Sequence, residues 1–183
     1  MASVKVVLTY QDYAALPDDG RRYEIHDGEL SVTPAPGRTH QHVVLRLGAA
    51  LDAHVTARGL GEVYIAPFDV ILADTTIVQP DVIFVANDRL AIFSERGAES
   101  APTLAIEVLS PSSRHIDRSR KLQLYTRHAV PHYWIVDPER RVIEVYRLAA
   151  GVYDVPDTFG DDSLTDMPPF EGLRLDPASL WFH

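Results

Sequence analysis

The stretch Leu104-Ala105-Ile106-Glu107-Val108-Leu109 is an apolar run with a single acid inside it. Its length and its β-branched residues favour a buried strand, and Pro111 marks the point where such a strand ends. A buried ionised carboxylate is costly unless a cation, a proton or a metal ion accompanies it. Alternation alone equally allows Glu107 to lie on the exposed face of an edge strand. The stretch thus predicts a strand whose acid is either solvated or functional.

A second apolar strand also carries an acid. The run Asp81-Val82-Ile83-Phe84-Val85 follows Pro80 directly and opens with the acidic residue. Such a continuous apolar run is typical of a strand that is buried on both faces. We therefore consider Asp81 and Glu107 together as candidate functional carboxylates.

The segment from about Ser113 to His128 is predicted to form a helix. Four side chains at positions i, i+4, i+8 and i+11 share one of its faces: Asp117, Lys121, Tyr125 and His128. A strand followed by a loop and a helix returns this face over the end of the strand, so that Lys121 can reach Glu107. The alternative is a surface helix with a solvated basic face, which is a common arrangement.

The rest of the chain predicts further strands and helices. Asp27-Gly28 between two alternating runs predicts a β-hairpin over 22–33, and an apolar stripe predicts a helix over 40–58. The element order indicates the α/β (α+β) class, with a mixed central β-sheet flanked by helices. We interpret 73–78 as a polar turn and 156–169, which is rich in Pro, Gly and Asp, as loop.

Composition narrows the possible functions. The chain has 183 residues, a formal net charge of −9 and no cysteine. This length suits a single domain over 1–183. The charge excludes a uniformly basic nucleic-acid binder, and the absence of cysteine excludes disulfide scaffolds, thiolate zinc sites and cysteine nucleophiles. No apolar run approaches the ~18 residues of a membrane span, and we expect a cytoplasmic protein.

Two carboxylates and a lysine on adjacent core elements suit one kind of chemistry. Carboxylate oxygens bind hard divalent cations such as Mg²⁺ or Mn²⁺. Such a cation polarises a phosphoryl oxygen and lowers the pKa of a bound water, and an ammonium group offsets the charge that develops on the phosphate. The set of Asp81, Glu107 and Lys121 therefore favours metal-assisted phosphodiester hydrolysis.

Several motifs occur in order between about Thr9 and Leu148. They include Tyr23-Glu24-Ile25, Asp27-Gly28-Glu29-Leu30, Pro34-Ala35-Pro36, His40, Pro80-Asp81-Val82, the run from Pro102 to Ser112, Asp117, Lys121, Tyr125 and the run from Val130 to Asp137. In this combination the chain resembles the Uma2 family of endonucleases, in the PD-(D/E)XK restriction-endonuclease-like superfamily. The resemblance implies a core at about 38–148, preceded by a helix and hairpin at 9–33 and followed by an extension at 149–183.

The resemblance also implies site residues. Asp81 and Glu107 look like the two acids that bind Mg²⁺ or Mn²⁺. The superfamily lysine normally stands two residues after the second acid, where this chain has Leu109, and Lys121 looks like its relocated equivalent. The family positions also include Glu24 and His40. Glu24 is either a further acid at the metal or a hairpin residue paired with a neighbouring arginine or amide, and His40 either contacts a metal-bound water or phosphate or only caps its helix.

Two further expectations concern the same helix and the partners of the chain. Tyr125 is either a site residue that bonds the acids or a packing residue. Arg114, Arg118 and Arg120 lie close together and are candidates for contact with DNA phosphates, although a solvated face explains them as well. We expect a homodimer, from the resemblance and from the aromatic residues Tyr133, Trp134, Trp181 and Phe182. The competing functions are a catalytically inactive nuclease-fold binding domain and a phosphoesterase for a small substrate.

Overall fold

Helices and strands alternate along residues 6–182, the part of the chain that the computed structural model describes. The helical segments are α1 (Tyr10–Ala14), α2 (Arg38–Arg58), a 3₁₀-helix (Asn87–Ile92), a π-helix (Ile116–Lys121), α3 (Leu122–Arg127) and α4 (Pro177–Leu180). The strands are β1 (Arg22–His26), β2 (Glu29–Thr33), β3 (Gly61–Ile65), β4 (Val70–Ala73), β5 (Thr76–Val78), β6 (Val82–Ala86), β7 (Phe93–Ser94), β8 (Gly97–Ala98), β9 (Leu104–Val108), β10 (His132–Asp137), β11 (Val142–Ala149), β12 (Val152–Tyr153) and β13 (Asp157–Phe159).

The strands form two mixed sheets. The larger sheet has the order β12-β11-β10-β9-β6-β3, and β13 pairs with β11. Within it β9 and β10 are parallel, whereas β3 and β6, and β6 and β9, are antiparallel. The smaller sheet has the order β2-β1-β5-β4-β8-β7. The two sheets and their flanking helices confirm the predicted mixed α/β (α+β) class.

The larger sheet is covered on both faces. The apolar stripe of α2, which includes Leu47 and Leu51, packs in one buried cluster with Ile106 of β9. Tyr125 of α3 packs in a second cluster with Ala105, the neighbour of Ile106 on the same strand. Because successive side chains of a strand point to opposite faces, α2 and α3 lie on opposite sides of β9. Glu107, one residue after Ile106, therefore points towards α3.

The hairpin that carries part of the site has the predicted bounds. It turns at Asp27 and Gly28, whose φ angles of 53° and 79° are positive, as a two-residue hairpin turn of this sequence requires. β1 also pairs with β5 through Ile25 and Ile77. The hairpin is therefore part of the smaller sheet, and one face of β1 is held against the rest of the chain.

Two local predictions are wrong, and a third holds with a local change in helix geometry. The segment 73–78 contains β5, because Ile77 and Val78 are completely buried and complete the smaller sheet. The segment 156–169 contains β13, which pairs with β11. The helix expected from about Ser113 to His128 is present as a continuous helical segment over 114–127, but its middle is widened into the π-helix Ile116–Lys121. Short strands and a widened helical turn depend on tertiary pairing that local sequence does not encode.

The aromatic residues that suggested a homodimer lie mostly inside the chain. Tyr133, Trp134 and Trp181 are buried, and the ring of Phe182 lies edge-on to that of His42. They therefore supply no free interface, and the homodimer stays a prediction from the resemblance, as does the division of the chain into a core and two extensions. Among residues 6–182 no helix is long and apolar enough to cross a membrane.

Candidate active site

The two strand acids lie side by side. In the antiparallel pair of β6 and β9, Val82 is opposite Ile106, and Asp81 and Glu107 are the next residues outward. The backbone N–H of Val108 donates a hydrogen bond of 2.8 Å to Oδ2 of Asp81. The register of the sheet, rather than proximity along the chain, thus places the two carboxylates next to each other.

Asp81 is buried among donors. Arg22 of β1 donates from Nη1 to Oδ1 at 2.9 Å, and His40 in the first turn of α2 donates from Nε2 to Oδ2 at 3.0 Å. Burial raises the pKa of Asp81, but the bonds from His40, Arg22 and Val108 outweigh this effect and lower it overall. Asp81 is therefore ionised at neutral pH.

Glu107 has a different environment. Lys121 donates from Nζ to its Oε1 at 2.8 Å, and the Tyr125 hydroxyl donates to the same oxygen at 2.8 Å. Burial raises the pKa of Glu107 to about 8. The negative charges of Asp117 and Asp81 act in the same direction, and the positive charges of Lys121 and Arg22 do not offset these effects. Glu107 thus binds a proton readily at neutral pH, unlike Asp81.

Lys121 joins the hairpin to the larger sheet. It is one of two lysines in a chain that has 15 arginines, and it is buried. Besides Glu107, it donates to Oε1 of Glu24 on β1 at 3.0 Å. Burial lowers the pKa of Lys121, but Glu107 and Glu24 outweigh this effect and raise it above its usual value. Lys121 therefore remains an ammonium ion in spite of its burial.

Glu24 accepts three hydrogen bonds. Besides that from Lys121, it receives one from the backbone N–H of Gln79 at 2.7 Å and one from Nε2 of His26 at 3.0 Å. Burial raises the pKa of Glu24, but Lys121, His26 and Arg22 lower it far below its usual range. The hairpin glutamate is therefore an ionised anchor for Lys121, a role that the sequence alone left undecided.

The π-helix contributes a further carboxylate. Asp117 is buried one turn before Lys121, with its Oδ1 3.9 Å from Nζ. Its Oδ2 has no hydrogen-bond partner. Burial raises the pKa of Asp117, and Asp81 and Glu24 add to this effect. The widened turn therefore presents to the site a cation and an acid with one oxygen that accepts no hydrogen bond, and π-turns often occur at functional sites.

A small cavity of about 20 Å³ lies between these groups. Such a volume has room for one water molecule or one ion. Its charged lining consists of four carboxylates and two cations: Glu24, Asp81, Glu107, Asp117, Arg22 and Lys121. The four carboxyl groups can carry up to four negative charges against two positive charges from Arg22 and Lys121, and a proton bound by Glu107 or Asp117, whose pKa values are raised, reduces this excess. The excess of carboxylates and the Asp117 oxygen without a hydrogen bond fit a divalent cation. Within residues 6–182, no three acidic or imidazole side chains are arranged as a ready-made set of metal ligands.

A much larger cleft, of about 810 Å³, opens beside the small cavity. The two spaces share Arg22, Pro36, His40 and Asp81 in their walls. A molecule in the cleft thus has direct access to Asp81 and to the entrance of the small cavity.

The 3.7 Å ion pair of Arg22 with Glu24 joins two hydrogen-bonded groups into one polar network. Six of the predicted site residues belong to it: Glu24, His40, Asp81, Glu107, Lys121 and Tyr125. Leu109, at the usual position of the superfamily lysine, is buried in the apolar cluster beneath α3. The Lys121 ammonium reaches Glu107 from the π-helix instead. The roles of these residues stay predictions.

The three arginines predicted to contact DNA lie outside this network. Arg114 pairs with Asp137 and Glu139, and Arg118 forms a two-pronged ion pair with Glu144. Arg120 pairs with Glu29 and also donates to the carbonyl oxygen of His26. Each guanidinium is about one-third exposed and lines neither cavity. Any contact with DNA phosphates requires these ion pairs to rearrange.

The sequence analysis considered Arg21, Arg22 or a backbone amide only as possible partners of Glu24, and it did not identify Arg22 or Gln79 as part of the site. Arg22 is two residues before Glu24 on the same strand and thus on the same face, which was the available signal. Only one of its three guanidinium nitrogens, Nη1, forms a hydrogen bond. Nε and Nη2 are buried without a hydrogen-bond partner, and Nη2 lies 3.7 Å from Oε1 of Glu24 in a longer ion pair. Gln79 acts through its backbone N–H, and no sequence signal identifies such a contact.

Comparison with known proteins places the chain in a family. The model of the Uma2 family, described as "Putative restriction endonuclease", matches residues 10–178. The chain belongs to the Uma2 family. The Uma2 region includes every residue of the network described above, from Arg22 to Tyr125.

A solved structure has the same fold. The crystal structure of a "putative nuclease belonging to DUF820" from Anabaena variabilis ATCC 29413 superposes with a TM-score of 0.77 and 21% sequence identity. The match covers 94% of this chain and 97% of that one. A search of curated proteins finds no significant match.

Proposed function

We propose that this Uma2 protein is a divalent-metal-dependent nuclease that hydrolyses phosphodiester bonds of DNA. Membership of the family and the shared fold both support a nuclease. The observation that supports metal dependence is the small buried cavity, whose four carboxylates exceed its two cations. Buried carboxylates in excess of their partners are unfavourable unless they bind protons or a cation. The raised pKa of Glu107 has the same physical origin.

Asp81 and Glu107 are the proposed ligands of Mg²⁺ or Mn²⁺. Both ions prefer carboxylate oxygens, and a bound ion polarises the phosphoryl group and activates water. Asp81 is held ionised and oriented by Arg22, His40 and Val108. Ligation by Glu107 requires the loss of its proton, so the affinity for metal should rise with pH up to about 8.

The remaining residues position the reacting groups. Lys121, fixed between Glu24 and Glu107, supplies a positive charge that can orient the attacking water or offset charge on the phosphate. Arg22 has two nitrogens, Nε and Nη2, that donate no hydrogen bond, although Nη2 is in a 3.7 Å ion pair with Glu24. It lies at the boundary of the small cavity and the cleft, which suits contact with a phosphate oxygen. Tyr125 positions Glu107 through its hydroxyl.

The proposal predicts DNA cleavage that requires a divalent cation. We expect the wild-type protein to nick or degrade plasmid and single-stranded circular DNA in the presence of Mn²⁺ or Mg²⁺, and to stop on addition of EDTA. Gel electrophoresis at low salt measures the products, because phosphate contacts weaken strongly with salt.

Two other results would contradict the proposal and point to the competing functions. DNA binding that persists in EDTA without any cleavage in Mn²⁺ indicates an inactive binding domain with the nuclease fold. Hydrolysis of bis-(p-nitrophenyl) phosphate without cleavage of DNA indicates a phosphoesterase for small substrates.

A further inference from the structure

The large cleft beside the site has an aromatic and aliphatic lining. Tyr10 and Tyr13 of α1, Tyr23 of β1, Leu45 of α2 and Ile65 of β3 contribute to its walls. Leu45 and Ile65 are 61% and 46% exposed, so their apolar surface is free within the described chain. A volume of about 810 Å³ lies within the range of small-molecule sites. The cleft therefore offers space and apolar contacts for a flat, uncharged group.

Arg22 gives the cleft a place for a phosphate at its inner end. Its Nη1 donates to Asp81, whereas Nε and Nη2 are buried without a hydrogen-bond partner, and Nη2 has only a 3.7 Å ion pair with Glu24. A guanidinium with two free N–H groups fits phosphate oxygens. A phosphate at Arg22 lies at the entrance to the small cavity, and whatever is attached to it extends into the cleft.

The wall of the cleft also contains a carboxylate with a free oxygen. Asp69 accepts hydrogen bonds at Oδ1 from the Tyr13 hydroxyl at 2.7 Å and from Nε2 of Gln79 at 2.8 Å. Its Oδ2 accepts none from residues 6–182, and Asp69 is only half-buried. A free carboxylate oxygen is a partner for the amino group of a nucleobase. The backbone N–H of Gln79 bonds Glu24, so this polar group is tied directly to the catalytic network.

We propose that the cleft holds one unpaired nucleobase of the substrate strand, next to the phosphate that is cleaved. This inference rests on the proposed nuclease function. Arg96 and Arg21 lie over one face of the Tyr10 and Tyr23 rings, respectively. A base can therefore stack on a remaining tyrosine face, and Asp69 supplies an acceptor for its amino group. The lining contains acidic side chains (Asp18, Asp69 and Asp81) besides Arg21 and Arg22, which disfavours a run of several phosphates in the cleft.

The proposal makes single-stranded or frayed DNA the preferred substrate class. A base within a duplex must be unpaired and unstacked before it can enter a cleft. The free-energy cost of unstacking weakens the binding of duplex DNA. We expect a single-stranded oligonucleotide to bind about tenfold more tightly than a duplex of the same sequence. Fluorescence anisotropy in EDTA, with a fluorescein-labelled 12-nucleotide probe, measures this ratio without requiring activity.

A blocking variant tests the cleft itself. Leu45→Trp fills the cleft from the surface of α2, and we expect it to weaken binding of the single-stranded probe about tenfold. Leu30→Trp is the matched control, because Leu30 is also an exposed leucine, at 43%, and does not line the cleft. It should change binding less than about twofold. Ile65→Trp is a second blocking variant, which applies if Leu45→Trp does not fold.

Each outcome separates this inference from the proposed function. Equal binding by Leu45→Trp and the wild type, a preference for the duplex, or no binding of either probe would overturn the base site. Single-strand binding that Leu45→Trp weakens, without cleavage in Mn²⁺, would support the base site and contradict the nuclease. Metal-dependent cleavage with a preference for duplex DNA would support the nuclease and contradict the base site.

Discussion

The Glu107→Gln variant is expected to lose metal-dependent DNA cleavage by about 10³-fold while it keeps its fold. The amide has almost the same shape as the carboxylate but no charge, so it can still accept hydrogen bonds from Lys121 and Tyr125. It cannot replace the carboxylate as a ligand for Mg²⁺ or Mn²⁺. Initial rates of plasmid nicking at saturating Mn²⁺, compared with those of the wild type, measure the loss.

A matched variant controls for the loss of a paired glutamate. Glu99→Gln removes a carboxylate that pairs with Arg96 outside both cavities, and it should retain cleavage within about twofold. Circular dichroism and thermal melts show whether each variant is folded. A folded Glu107→Gln variant with wild-type cleavage would refute the assignment of Glu107 as a metal ligand.

The Glu107→Gln variant should also change how the free energy of unfolding depends on pH. Burial raises the pKa of Glu107 to about 8, so the folded protein holds a proton there that the unfolded chain releases above about pH 4.5. Without metal, the wild-type free energy of unfolding should therefore fall between about pH 5 and pH 8, by as much as about 1.4 kcal/mol per pH unit. Glu107→Gln should have a shallower slope in urea titrations, with Asp117 responsible for what remains. Equal slopes would contradict the raised pKa.

The second large effect is on stability. Lys121→Met is expected to lower the free energy of unfolding by about 3 kcal/mol, because it leaves Glu24 without its ammonium partner inside the protein. For a chain of this size, such a change lowers Tm by about 6–12 °C. Urea unfolding at pH 7 measures the loss, and cleavage by the folded fraction should also be lost.

Arg127→Met is the matched control for Lys121→Met. Arg127 lies six residues further along the same helical segment and pairs with Asp27, but both side chains are largely exposed. An exposed ion pair contributes at most about 1 kcal/mol. If both variants lose the same small amount of stability, the role of Lys121 as the buried partner of Glu24 is contradicted.

The fold and the principal acids could be predicted from local sequence. Apolar strands with one acid each, the Asp-Gly turn and the stripe of α2 are patterns within single elements, and each of these elements is present. The pattern also predicted that Lys121 and Tyr125 share a helix face. In the structure both donate a hydrogen bond to Oε1 of Glu107. These features depend on side-chain periodicity, which the sequence states directly.

The missed features depend on contacts between distant segments. Arg22 acquires its role only because β1 lies beside Asp81, 59 residues further along the chain. β5 and β13 are short, and pairing with neighbouring strands defines them. The π-turn at Asp117 has no helix-breaking residue to signal it within Ile116–Lys121. Local propensity is a weak guide wherever tertiary pairing decides the backbone.

The most direct test of the central claim is a Mn²⁺ soak of crystals at about pH 8, followed by an anomalous difference map. This pH favours the ionised form of Glu107. We predict a peak in the small cavity, with Asp81 and Glu107 as the nearest carboxylates and Lys121 beside it. An empty cavity, with Glu107 still paired to Lys121, would contradict a metal-dependent site.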